Sequence, residues 1–219
     1  MSTRRTLPPS ASVAHAGEGA RLHAPSAERN AAAITAALCE IAPETGCALE
    51  IASGTGQHVV AFAAAMPDLI WQPTEIDAAR RASIDAYAAE ANLPNLRAAM
   101  ALDATGVGWG KEQAGQALIV LINLLHLVST PEARRIISEA AQALCPGGRF
   151  AIYGPFLRGG QATSDGDARF HASLRAQDPA IGYKDLAEVE GWLAAEGLLV
   201  NEPREMPANN LFLLAGCPG

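Results

Sequence analysis

Hydrophobic positions along the chain switch repeatedly between two periods. Short apolar runs, of the kind a buried strand needs, alternate with longer stretches in which apolar side chains recur every third or fourth residue, as on one face of a helix. The first helix is predicted from Ser26, a good N-cap, with Ile34, Leu38 and Ile41 at helical spacing. "CALEIA" reads as a buried strand, "GQHVVAFAAAM" as a helix and "LIWQPTE" as the next strand. A helix over "AARRASIDAYAAEAN" and a third strand over "LRAAMALDA" follow. "QALIVLIN" is a fourth strand, β-branched or leucine through its middle, which suits a strand covered on both faces. Thr130 and Pro131 then make an N-cap and first helical residue, Ile136, Ile137, Ala140, Ala141 and Leu144 an apolar face, and "PGG" a stop. "RFAIYGPF" is a fifth strand, and Leu186, Val189 and Leu193 mark a helix that Gly197 ends. "LLVNEPREM" and "NLFLLAGC" close the chain as two strands without a helix between them.

This alternation predicts an α/β fold: a doubly wound, mostly parallel, seven-stranded sheet with helices on both faces and an antiparallel edge strand. With 219 residues the chain suits one domain, expected over 21–219, behind a flexible leader over 1–20. The leader carries two arginines but no apolar segment of a secretory signal, and no apolar run approaches the ~18 residues of a membrane span. Cys39, Cys47, Cys145 and Cys217 lack the spacing of a metal or redox site and read as reduced thiols of a cytoplasmic protein, with no metal expected. A net charge of −7 without a basic stripe argues against nucleic acid as a partner. Oligomeric state is not legible.

Candidate chemistry begins at "LEIASGTGQH", residues 49–58. In an open α/β sheet, ligands sit beyond the carboxyl ends of the strands, and this turn follows the first strand. Gly54 and Gly56 make a tight turn on any reading. A nicotinamide dinucleotide site wants a third small residue, and Val59 stands there instead. Glu50, ahead of the glycines, would also meet a pyrophosphate with like charge. S-adenosylmethionine carries no phosphate but has an ammonium, a sulfonium and a carboxylate. Glu50 suits its cationic end, and the backbone of Ala52, Ser53, Gly54 and Gly56 suits its carboxylate. Glu75 ends the second strand, placed for ribose hydroxyls, a role Asp77 can share or replace. Asp103 follows the third strand, placed for the adenine amino group.

The chain resembles the class I S-adenosylmethionine-dependent methyltransferases and, more narrowly, the family catalogued as domain of unknown function 938, or methyltransferase-like protein twenty-six. The resemblance lies in "SAERN", "LEIASGTGQH", "WQPTEID", "LDAT", "INLLHL", "GGRFAIYGPF", "FHASLRAQDPAIGYKDL" and "MPANNL", in the family's order from about Ser26 to Leu213. It implies a Rossmann-like methyltransferase sheet and S-adenosylmethionine as cofactor, and supplies no substrate. The family's Ser-Asn and Phe-Asp stand here as Gly166-Asp167 and Phe170-His171, and its usual acid after "WQP" as Glu75.

Methyl transfer from a sulfonium needs a base mainly when the acceptor must lose a proton. His126, after the fourth strand, is a candidate base or orienting donor, or a histidine capping the strand end. Asn123 is a candidate to hold the cofactor. Arg29 and Asn30 lie on a helix that can fold over the cofactor, or on an ordinary amphipathic one. Tyr153, Phe156, Asn209 and Asn210 are expected to border the acceptor, with polar amides at an apolar rim. The sequence therefore points to a methyltransferase acting on a small molecule. A non-catalytic S-adenosylmethionine-binding protein is the alternative, and a nicotinamide oxidoreductase a weaker third reading.

Overall fold

A computed structural model describes residues 13–219. The chain opens with a small antiparallel hairpin, β1 (His15–Ala16) against β2 (Leu22–His23). Then come α1 (Pro25–Ile41), β3 (Gly46–Ile51), α2 (Gln57–Ala65), β4 (Leu69–Pro73), α3 (Ala78–Ala91), α4 (Trp109–Glu112) and β5 (Gln116–Ile122). A 3₁₀ turn (Leu125–Leu127) leads to α5 (Thr130–Ala143), β6 (Leu144–Gly154), α6 (Asp165–Gln177) and α7 (Leu186–Ala195). The two-residue strands β7 (Leu199–Val200) and β8 (Arg204–Glu205) precede the last strand, β9 (Leu211–Gly216). Among the described residues no helix is long and apolar enough to cross a membrane.

Seven strands form the main sheet in the order β4-β3-β5-β6-β9-β7, with β8 also paired to β9. β4, β3, β5 and β6 run parallel. In β5, Leu118, Ile119, Val120 and Leu121 are all buried, because successive side chains point to opposite faces and both faces are covered. Ile119 and Leu121 meet one apolar cluster, shared with Ile136, Ile137 and Ala140 of α5 and Val189 and Leu193 of α7. Leu118 and Val120 meet the other, shared with Ile34 and Leu38 of α1, Val59 and Phe62 of α2, and Ile84 of α3. From β3 the chain moves outward to β4, then returns to the other side of β3 as β5. The strand order thus reverses between β3 and β5, and a crevice opens beyond their carboxyl ends.

Several local expectations change. The segment "LRAAMALDA" is not a strand: it touches β4 only through the bridges Trp71↔Leu96 and Thr74↔Met100. Pro73 has no N–H to donate, so the ladder begun by Trp71 N–H to Asn95 O and Arg97 N–H to Trp71 O is interrupted there and resumes only with Met100 N–H to Pro73 O and Glu75 N–H to Met100 O. Antiparallel pairing involves β9, one place in from the edge, while Pro203 divides the expected strand "LLVNEPREM" into β7 and β8. Two helix starts also shift. α1 is capped at Ala24, whose N–H donates to Gln57 Oε1, and α5 at Ser129 through a capping box with Glu132. "PGG" falls inside β6, where its register with β5 slips. Of the expected leader, residues 1–12 lie outside the described residues. The rest contains β1, paired with β2.

The short helix α4 shows how tightly the first apolar layer is closed. Glu139, buried on α5, accepts N–H bonds from Gly108 (2.8 Å) and Gly110 (2.7 Å). A Cβ on Gly110 would lie 2.3 Å from the Glu139 carbonyl oxygen. Gly110→Ala should therefore cost about 1–3 kcal/mol, a fall of several degrees in Tm. Gly191→Ala, on α7 where nothing lies within 4 Å, should stabilise by about 0.5–1 kcal/mol through helix propensity. Parallel urea unfolding of the two variants checks the contrast.

Candidate functional site

The crevice at the switch point holds a cavity of about 1100 Å³. Single small-molecule sites span roughly 300–1,000 Å³, so its size accommodates two ligands side by side. β3 delivers Glu50 to its floor, and the chain then turns through Ala52, Ser53 and Gly54 along the wall. Ala52 (φ 54°) and Gly54 (φ 60°) both take left-handed conformations, as does Asn123 (φ 54°) at the tip of β5. For alanine that conformation is strained, and strain of this kind gathers where chains line ligands. Ser53 N–H to Thr74 O (2.7 Å) ties the turn to the end of β4.

Carboxylates dominate the wall. Glu75 is buried, its Oε2 accepting from Gly54 N–H and its Oε1 from Asp77 N–H (both 3.1 Å). Asp77 caps α3 through Arg80 N–H (3.0 Å), and Asp103 closes a turn by accepting from Thr105 N–H (2.9 Å) and Oγ1 (2.7 Å). Glu50 is different. It is 1% exposed, and its Oε2 has no hydrogen-bond partner. Burial pushes its carboxyl up to about 8, with the Glu75 charge adding and a Ser53 hydrogen bond opposing. A buried acid with an empty acceptor atom is costly in isolation and well matched to a cation.

Eight of the residues named from sequence line this cavity: Glu50, Ala52, Ser53, Gly54, Glu75, Asp77, Asp103 and Asn123. Gly56 does not. Its φ of 95° starts α2, and a Cβ there would lie 2.8 Å from Ile84 Cα, so the glycine serves the packing of α2 on α3. Arg29 is exposed on α1 and lies off the wall; Ser26 and Ala27 of the same helix line it.

His126 is the main correction. It is 5% exposed, packed edge-on against Phe170 (5.9 Å between ring centroids) and Tyr183 (5.8 Å), and does not line the cavity. Burial pushes its imidazole down to about 3, helped by the charge of Lys184. Such a ring stays neutral at neutral pH and lies among other rings, off the cavity wall. Long-range packing by α6 and the segment before α7 caused this, and neither is legible from "NLLHL". Phe156 likewise lies in the apolar core facing α7 and off the cavity wall.

Of the four remaining expected residues, Asn30, Tyr153 and Asn210 meet behind the cavity-lining His58, and Asn209 stands apart from them. Asn30 Oδ1 lies 2.7 Å from His58 Nε2, and the side chains of Asn30 and Asn210 both hydrogen-bond the buried Tyr153 phenol. Burial raises the phenol's pKa, and those two bonds oppose the rise. Asn209 sits in an exposed left-handed turn and donates to Asp167 Oδ2 (3.0 Å). His58 itself does line the cavity, held neutral by burial with its pKa pushed down to about 4. Sequence reasoning placed it at the helix start and gave it no ligand. It also missed the far wall: Leu124, Leu127, Val128 and Glu132, and residues 177–179 at the end of α6. No periodicity joins those two segments, which meet only in the fold.

Solved structures share this architecture. An O-methyltransferase family protein from Burkholderia thailandensis matches with a TM-score of 0.75 at 17% identity, over 89% of this chain and 58% of that one. A putative O-methyltransferase from Nostoc punctiforme gives 0.76 at 19%, over 88% and 57%. Human N-acetylserotonin methyltransferase, solved in complex with SAM, gives 0.70 at 12%, over 89% and 53%. The chain spans less than two thirds of the length of each of these proteins, and at such identities the likeness establishes the class I methyltransferase fold alone. A family model matches residues 21–215, so the chain belongs to the family described as protein of unknown function (DUF938).

Proposed function

We propose that the protein is a methyltransferase that uses S-adenosylmethionine and acts on a small molecule. The observation that carries this reading is Glu50, whose buried, unpartnered carboxyl oxygen faces a cavity at the switch point of a methyltransferase sheet. S-adenosylmethionine would supply an activated methyl group on a sulfonium. Glu50 receives the ammonium, Glu75 the ribose hydroxyls with Asp77 beside it, and Asp103 the adenine amino group. The first turn of α2 presents backbone N–H groups and the positive end of the helix to a carboxylate. Asn123 stands between the two halves of the cavity.

With His126 withdrawn, catalysis rests on holding the acceptor in line and excluding water, a source of acceleration that needs no base. Tyr153, Asn30 and Asn210 buttress this wall through His58, and Asn209 holds α6 through Asp167. The Val59 position supports the cofactor choice over a dinucleotide. Val59 is fully buried between α2 and the sheet, where a dinucleotide fold places a small residue so that the helix approaches closely. The neighbours named O-methyltransferases support a small-molecule acceptor. A reducing, cytoplasmic setting suits the four free thiols. Turnover of labelled S-adenosylmethionine with a metabolite extract tests the whole reading: binding without any transfer would leave a cofactor-binding protein without activity.

Two measurements address the cofactor side. Hydrogen bonds to a charged group are worth about 1.5–3 kcal/mol, so Glu75→Ala should weaken S-adenosylmethionine binding roughly ten- to a hundredfold in calorimetric titration. A folded variant with wild-type affinity would remove Glu75 from the site. Glu50 yields a pH dependence. Its carboxyl is raised from 4.5 to about 8 on folding, so the folded state prefers the protonated form. The stability of the cofactor-free protein should be greatest below pH 4.5 as far as this group is concerned, and fall as pH rises towards 8. The difference reaches on the order of 3 kcal/mol at pH 7. Glu50→Gln should remove that slope in urea unfolding, stabilising the empty protein at pH 7 to 8 while weakening cofactor binding.

A further inference from the structure

One side chain of the cavity wall has a hydrogen-bonding state that the fold dictates from a distance. His58 stands in the first turn of α2, 8% exposed, and lines the cavity. Its Nε2 lies 2.7 Å from Asn30 Oδ1, the ring's one hydrogen bond among the described residues. Which partner donates is settled one step further back. The side-chain amides of Asn30 and Asn210 bond the buried Tyr153 phenol and oppose the rise of its pKa. Bonds with that effect favour the charged form, so the amides donate to the phenol oxygen. Asn30 therefore turns its NH₂ towards Tyr153 and its Oδ1 towards His58. An amide oxygen only accepts, so Nε2 carries the ring's proton. Burial keeps the imidazole neutral, its pKa pushed down to about 4. Nδ1 is left as a bare acceptor.

The same face of the sheet supplies the other open acceptor. Side chains alternate along β3. Leu49 and Ile51 enter the layer shared with α5 and α7, while Ala48 enters the layer shared with α1, α2 and α3. Glu50 is aligned with Val120 of that second layer, so its carboxyl lies on the side of the sheet that carries His58. Glu50 Oε2 is buried without a donor, and both residues line the cavity. A hydroxyl offers one hydrogen, whereas a primary ammonium offers three together with the charge that a buried carboxyl needs. We propose that His58 is a further binding residue for the cofactor, its Nδ1 accepting from the same ammonium that Glu50 receives. Asn30 and Tyr153 are positioning residues that keep the ring's proton on Nε2. The proposal rests on the methyltransferase reading, since the ammonium is that of S-adenosylmethionine. It gives the buried Asn30–Tyr153–Asn210 group a task at the cofactor's amino-acid end. The ring cannot turn its N–H towards the ammonium without breaking its bond to Asn30.

Two ligands separate this role from simple support of the wall: S-adenosylhomocysteine, and its analogue with hydrogen in place of the amino group. Each is titrated calorimetrically into the full-length protein at neutral pH. The wild type should bind S-adenosylhomocysteine roughly tenfold or more tightly than the analogue. His58→Phe keeps a ring beside Phe62, its stacking partner at 5.8 Å between centroids, and removes both nitrogens. It should weaken S-adenosylhomocysteine roughly tenfold, the lower end for a hydrogen bond to a charged group, and leave the analogue within about twofold. Asn30→Leu leaves His58 in place but lets its proton occupy either nitrogen. That variant should weaken S-adenosylhomocysteine several-fold and again spare the analogue. Equal weakening of both ligands by His58→Phe would make the residue a support of the wall and overturn the proposal. So would unchanged affinity for both, or an Asn30→Leu variant with the full wild-type preference. If His58→Phe fails to fold, Asn30→Leu decides by the same ratio. A wild type that binds both ligands equally overturns the proposal and spares the cofactor reading; one that binds neither removes both.

Discussion

Everything in this molecule hangs on β5 lying between β3 and β6 with no face open to water. Four consecutive side chains, Leu118 to Leu121, are buried by alternation onto two apolar layers. That burial requires helices on both sides of the sheet. A parallel strand must be reached by a crossover of preferred hand, so placing β4 on one flank of β3 and β5 on the other puts consecutive crossovers on opposite faces. The two departing chains then diverge at the tips of β3 and β5. The cavity is a consequence of how the core is closed, and the left-handed residues Ala52 and Asn123 mark the two lips of that divergence.

The same geometry explains why the most informative residue is also unfavourable for stability. Glu50 sits within β3, hydrogen-bonded through its backbone to Thr74, with its side chain sealed behind the turn. An apolar residue there would stabilise the empty protein. The carboxyl remains protonated near neutral pH until a cation takes its partnerless oxygen, so the unfavourable environment becomes an attraction once a ligand arrives. Gly54 and Glu75 tell a related story. The bond from Gly54 N–H to Glu75 Oε2 joins the glycine turn to the end of β4 and holds the Glu75 carboxylate in a fixed place.

Local pattern carried most of the architecture. The β5 run, the helical spacing of Ile34 and Leu38, and the small residues after Glu50 all report interactions close in sequence, and Glu75, just past β4, follows from strand position, whereas Asp103 ends no strand. Expectations failed where partners were distant. Pro73 interrupts a ladder that propensity would have drawn through "LRAAMALDA", because the missing N–H matters only once the neighbouring segment is known. His126 looked available because the chain near it gives no hint of Phe170 and Tyr183, more than forty residues on. Gly56 looked like a ligand-facing glycine, yet its missing Cβ makes room for Ile84. In each case the residue type was read correctly, while the fold assigned it another neighbour.

Among the expected residues that lie off the cavity, His126 and Phe156 are rings that the core has absorbed. Those left in the cavity are mostly backbone, small side chains and carboxylates. Neither His58 nor His126 is placed to take up a proton at neutral pH, since both are held neutral by burial. What the cavity can do is set geometry and charge. On the proposed reading, a cofactor held by the acids at the tips of β3 and β4 would share this one cavity with its acceptor. For a displacement at a methyl carbon, alignment of the two is the larger part of what a protein needs to provide. The fold that buries β5 therefore also fixes the one place where such an alignment can form.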